Sequence, residues 1–129
     1  MSPMFLPEFS KHCSKVPHQL LDGGSDMWAQ LITMRLKPGR EAGLQKMLEQ
    51  LRAAEQPGSG LVRQTAMQDQ NDSSRYYMLV LFESEEKARE RENDPRRQEG
   101  LKTMRATMME IIDGAPEFVN LTVVDETSH

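Results

Sequence analysis

Few residues in this chain could do chemistry, and their distribution narrows the options. Residues 20–127 contain no histidine and no cysteine. A His-based metal triad, a haem axial ligand and a Ser-His or Cys-His nucleophile pair each need one of these, so all three fail over that span. No clustered Asp/Glu spacing suggests a carboxylate metal site. No Gly-rich run leads from a strand into a helix with a Lys behind it, so there is no phosphate loop. The expectation is a protein with no metal and no cofactor. What remains is aromatic, amide and guanidinium chemistry: Trp28, Gln30, Tyr76, Tyr77, Arg91 and Arg97. Residues 87–93 have only Ala88 as an apolar residue. They form either a solvated helix or a pocket wall offering Arg91 and Arg97, whose planar guanidiniums suit a phenolate or carboxylate. Glu85–Arg89 and Glu92–Arg96 are spaced as i,i+4 surface pairs, worth ~0.3–0.5 kcal/mol each.

The elements that position these residues are well marked. Residues 27–39, MWAQLITMRLKPG, run without Pro or Gly to Lys37-Pro38-Gly39. Trp28, Ile32, Met34 and Leu36 share one side and Ala29, Leu31 and Thr33 the other, which predicts a central strand. Leu44, Met47, Leu48 and Leu51 form a single stripe that predicts a helix over 40–56, stopped at Gln56-Pro57-Gly58. Residues 61–68 predict a strand, 69–74 a polar hairpin turn, and RYYMLVLF at 75–82 a second strongly apolar strand. Residues 84–112 predict a helix with Ser84 as N-cap, broken at Pro95, with Leu101, Met104, Met108, Ile111 and Ile112 in one stripe. A last strand spans 118–124. The order β-α-β-β-α-β predicts an α+β, ferredoxin-like, four-stranded antiparallel sheet with helices on one face. The other face is then bare, and its apolar residues need a partner sheet.

Composition sets the outer bounds. The 129 residues suit one domain, with residues 1–26 as an N-terminal extension or arm, 27–125 as the folded unit and 126–129 as a tail. An apolar fraction of 37% is low for a compact monomer and hints at a core completed by a second copy. A net charge of −4, with no basic stripe, argues against nucleic acid. No apolar run approaches the ~20 residues of a membrane helix. The single Cys13 and the proline-broken first residues lead to an expected cytoplasmic location.

Residues 27–124 resemble the antibiotic biosynthesis monooxygenase (ABM) family of dimeric α+β barrel proteins. The resemblance rests on Leu36-Lys37-Pro38-Gly39-Arg40, Gln56-Pro57-Gly58, the acidic hairpin 69–75, Phe82-Glu83-Ser84-Glu85-Glu86 and Asn93-Asp94-Pro95. It implies a homodimer with facing sheets and one pocket per protomer between sheet and helices. Some members oxygenate aromatic substrates with neither metal nor flavin, and others degrade haem. Haem degradation is rejected, because the position of the family's axial histidine looks like Leu101, that of its tryptophan like Arg91, and that of its strand asparagine like Ile32. By the same analogy the pocket face carries Gln30, Ile32 and Met34, with Trp28, Arg97, Leu101 and Met104 as further ligand contacts. Arg91 would stabilise a phenolic anion. Strand alternation turns one of Tyr76 and Tyr77 toward the helices, where it could orient the substrate. Plain packing is the alternative for the tyrosines, for Trp28 and for the methionines. The implied activity is cofactor-independent oxygenation of a small aromatic phenol or quinol. The rival is a non-catalytic, dimeric small-molecule-binding protein.

Overall fold

A computed structural model describes residues 26–127, and the expectations placed on residues 1–25 and 128–129 lie outside it. Strand β1 (Trp28–Arg35) is followed by helix α1 (Glu41–Ala54) and strands β2 (Leu61–Gln68) and β3 (Arg75–Phe82). Helices α2 (Glu85–Glu92) and α3 (Pro95–Ile111) and strand β4 (Glu117–Thr122) complete the unit. The sheet order is β2-β3-β1-β4, all antiparallel, so the two most apolar strands are the internal ones. This is an α+β, ferredoxin-like fold.

Local chemistry explains the boundaries. Gly39 takes φ +77° in the turn after β1, a conformation that a Cβ would penalise. The strand's end is tied to the end of α3, with Lys37 N donating to Ile111 O at 2.8 Å and Asp113 N to Arg35 O at 2.8 Å. Ser84 Oγ accepts from Lys87 N at 3.1 Å and caps α2. The predicted break falls at 93–94, where Asp94 caps α3 through Arg96 N at 2.9 Å and Pro95 opens the new helix.

Trp28, Gln30, Ile32 and Met34 of β1 face the helices, as do Tyr76, Met78, Val80 and Phe82 of β3, their Cα partners across the ladder. The core there is closed by Leu44, Met47 and Leu51 of α1 and Leu101, Met104 and Met108 of α3. Helices α1 and α3 cross closely at Gly100, where a Cβ would come within 2.8 Å of Ala54 Cβ.

On the opposite sheet face Val119 (48% exposed), Met67 (41%) and Leu121 (38%) reach solvent, with Leu31 and Leu79 half-buried between them. That apolar face is uncovered in one chain. No helix among the described residues is long and apolar enough to cross a membrane.

Candidate functional site

Two adjoining cavities lie between the helix-side sheet face and the helices, sharing Ile32, Leu51 and Met78 as walls. Counting the part open to solvent, the first spans about 380 Å³ and the second about 270 Å³, while the closed space inside each is only about 20 Å³. They differ in lining. Met34, Met47, Met104, Met108 and Phe118 surround the second, which has no charged side chain in its lining. Gln30, Gln64, Arg91, Glu92 and Arg97 line the first.

The sheet supplies the amides of the first cavity. Asn120, Gln30, Val80 and Gln64 form one cross-strand row, and Gln30 Nε2 donates to Asn120 Oδ1 at 3.0 Å. Gln64 reaches this row through an irregularity in β2. Leu61 pairs with Phe82 but Arg63 with Leu81, so Val62 is the extra residue of a β-bulge. Without that bulge, two-residue alternation would turn Gln64 to the bare face.

The helices supply the charges. In α2, Ala88, Arg91 and Glu92 are buried at i, i+3 and i+4 and form its inward face. Arg91 is clamped by Glu55, the residue directly after α1, at 2.7 Å (Nη2 to Oε1) and 3.0 Å (Nε to Oε2). Its guanidinium also stacks 5.1 Å above the Phe82 ring, whose other neighbour is Trp28 at 5.9 Å. Burial alone would raise the Glu55 carboxyl. Hydrogen bonds from Arg91 and Ser59, helped by the charges of Arg91 and Arg97, outweigh burial and hold it below its ordinary value.

Glu92 is the unusual group. It is 5% exposed, and its Oε1 is buried with no hydrogen-bond partner among the described residues. Burial pushes its carboxyl up to about 7, against the pull of Arg97, Arg91 and Arg105. Arg97, on the other side of the helix break, is 1% exposed. Burial, with repulsion from Arg91, brings it down to about 10 despite the attraction of Glu92 and Glu55. Near neutral pH the cavity thus pairs a cation with a carboxyl that can hold or release a proton. Among the described residues no group of three or more His, Cys, Asp or Glu is arranged to hold a metal ion.

Of the residues singled out in the sequence, Gln30, Arg91 and Arg97 meet in the first cavity, Ile32 lies on the shared wall, and Met34 and Met104 line the second. Trp28 and Leu101 lie in the core outside both linings. Tyr76 and Tyr77 do face opposite sides of the sheet, but neither lines a cavity. Tyr76 Oη accepts from Gln68 Nε2 at 3.0 Å, and Tyr77 Oη donates to Asp69 Oδ2 at 3.2 Å near the hairpin. The expected Glu92–Arg96 surface pair is corrected. The break at Pro95 removes the helical register between them, Arg96 turns to Asp94 at 2.7 Å, and Glu92 points inward. Arg91, expected to stabilise a substrate anion, lines the first cavity and is ion-paired with Glu55 at 2.7 Å. Sequence reasoning missed Glu92, Gln64 and Glu55. The Ala88/Arg91/Glu92 spacing was the signal available for the first.

No protein-family model matches the chain, and no curated protein matches it. Solved structures do. A provisionally assigned antibiotic biosynthesis monooxygenase from Nitrosomonas europaea aligns with TM-score 0.64 at 15% identity, over 81% of this chain and 96% of that one. Another, from Caulobacter crescentus, gives 0.64 at 21% identity over 78% and 92%. SnoaB, a cofactor-independent oxygenase from Streptomyces nogalater, gives 0.59 at 17% identity over 77% and 94%. The chain has the fold of the antibiotic biosynthesis monooxygenase structures.

Proposed function

We propose that this chain, which shares its fold with antibiotic biosynthesis monooxygenases, is a cofactor-independent monooxygenase acting on a small phenol or quinol. The observation that carries the reading is Glu92, a buried carboxyl poised near neutrality beside Arg97, in a cavity whose other walls are two amides, apolar side chains and the ion-paired Arg91. A general base works best when its pKa lies near the operating pH, and a phenol needs one to become electron-rich enough to reduce oxygen.

The residues divide the work as follows. Glu92 takes the phenolic proton and Arg97 stabilises the phenolate, while Gln30 and Gln64 hydrogen-bond the far side of the ring. The phenolate passes one electron to O2, and the two radicals join to form a ring C–O bond. Glu92 returns its proton to the peroxide. The O–O bond then breaks as the ring C–H proton leaves, giving a quinone and one water. The methionine-lined cavity keeps water from the reacting carbon. Arg91 and Glu55 act as positioning residues that fix the end of α2.

The assembly belongs to the same proposal. Two chains bring their bare sheet faces together as a homodimer, which covers Leu31, Leu79, Val119 and Leu121. A purely apolar pocket would have favoured a non-catalytic binding role, and five polar side chains in the lining favour chemistry instead. Oxygen uptake with a panel of quinols and naphthols tests the reading. Turnover above the buffer rate is expected for at least one, and no uptake with any of them would count against it.

A further inference from the structure

The second cavity lies directly behind the first and opens elsewhere. Their common wall, Ile32, Leu51 and Met78, is buried. Gln64 of β2 is the one lining residue of the first cavity that is not buried, so that cavity opens at the β2 edge of the sheet. In the second cavity only Pro116 and Phe118 are half-buried, which puts its mouth beside β4, at the opposite edge. From that mouth inward the walls include Met34 of β1, Met47 of α1, and Met104 and Met108 of α3, with Met78 at the common wall. The closed space, about 20 Å³, has room for about one small molecule. No side chain in the lining is a better hydrogen-bonding group than a thioether, so nothing there could orient a phenol. A buried water needs about two to four polar partners, and apolar cavities without them stay dry and take up nonpolar guests such as xenon. Thioethers are polarizable and attract such guests by dispersion. Their unbranched chains also turn easily, so Met78 can swing and let a diatomic pass.

We infer that the methionine cavity is a dioxygen site, which takes O2 in at the β4 edge and passes it across the Ile32–Leu51–Met78 wall to a ring bound in the first cavity. The inference rests on the monooxygenase reading above and adds to it a separate route for the second substrate. Dioxygen is uncharged and nonpolar, which is what this lining accepts. The phenol enters past Gln64 and the gas past Pro116 and Phe118, so a bound ring does not block the gas. The two substrates can then bind in either order.

Xenon, a nonpolar atom comparable in size to O2, is the probe. In wild-type protein under xenon pressure the methyl NMR signals of Met34, Met47, Met104 and Met108 are expected to shift, and the side-chain amide signals of Gln30 and Gln64 to stay in place. In oxygen-uptake assays with the quinols and naphthols, xenon should compete with oxygen and not with the aromatic substrate. Met108→Trp, which fills the cavity from α3, should raise the KM for oxygen about tenfold, the low end for a misfit in an apolar pocket, and leave the KM for the aromatic substrate in place. Met108→Leu conserves volume and should keep the wild-type KM for oxygen. If Met108→Trp fails to fold, the xenon competition decides. A methionine cavity that takes up no xenon, or a KM for oxygen unmoved by Met108→Trp, overturns the inference alone and leaves the phenol site standing. A rise in the KM for the aromatic substrate instead would make this cavity part of the phenol site, and overturns the dioxygen assignment as well. No uptake with any quinol or naphthol overturns the monooxygenase reading and this inference together.

Discussion

The two adjoining cavities share walls and obey opposite rules. Around the second, methionines and Phe118 from the sheet and both long helices interdigitate, and Met47 and Met104 are about 1% exposed. Flexible thioether side chains fill irregular space and give up little when a ligand displaces them. Around the first, the chain buries Glu92 and two guanidiniums, with Glu55 half-buried against one of them, where well-packed apolar residues are often at least as stable. One region holds the fold together at no electrostatic cost. The other spends stability to keep a carboxyl and a cation out of water. Such a local conflict is expected at a working site.

Mutations should separate the two regions cleanly. The largest effect belongs to Glu92→Gln, which should lower kcat by ~10²–10⁴-fold, the usual contribution of a general base. In wild type, kcat/KM should rise with pH and level off above about 7 as Glu92 ionises; a flat profile would remove Glu92 from the mechanism. In the methionine region, Met104→Ala should cost ~2–5 kcal/mol of stability, read as a drop in the denaturation midpoint. Next, Arg91→Leu should cost ~3 kcal/mol, the low end for a broken buried pair, because Glu55 stays 22% exposed and can recruit water.

The pH dependence of stability gives a fourth contrast. Glu92 has a folded-state pKa of about 7 against an ordinary 4.5. Below pH 4.5 it is protonated in both states and has no effect. Between 4.5 and 7 the unfolded chain loses its proton first, so stability falls as pH rises, by up to ~3 kcal/mol in all. Glu92→Gln should therefore be more stable than wild type at pH 8 and equal to it at pH 4. Removing that crossover would equalise the two regions. Smallest is Tyr77→Phe, which deletes a part-buried hydrogen bond on the far sheet face; it should cost under ~1 kcal/mol and leave turnover unchanged.

The framework was legible in the sequence because its signals are local. The β1 run, the α1 stripe, the strand limits 61–68 and 75–82 and the break at Pro95 follow from periodicity, turn residues and caps. The methionine region was legible too, since a stripe of Met and Leu can only face inward. The charged region was not. Residues 87–93 look like a solvated helix by composition, and only the fold shows that this short helix covers the sheet with Arg91 and Glu92 beneath it. Gln64 was hidden for another reason. Strict alternation puts it on the wrong face, and Val62 gives no sign of the bulge that reverses it. Glu55 reads as a helix-end acid until its partner 36 residues away is known.

The break between α2 and α3 has one more consequence, in the language of helix dipoles. Glu92 is the last residue of α2, where the backbone carbonyls make the end partly negative, and Arg97 lies in the first turn of α3, where the amides make it partly positive. Each charge stands at the end of its own helix that repels it, an opposition worth ~0.3–1 kcal/mol apiece. Both dipoles therefore push their residue toward neutrality. A negative charge arriving on a ligand beside Arg97 meets the reverse situation, since it stands at the end of α3 that attracts anions. One interruption of a helix thus sets both buried charges against the dipoles of their own helices.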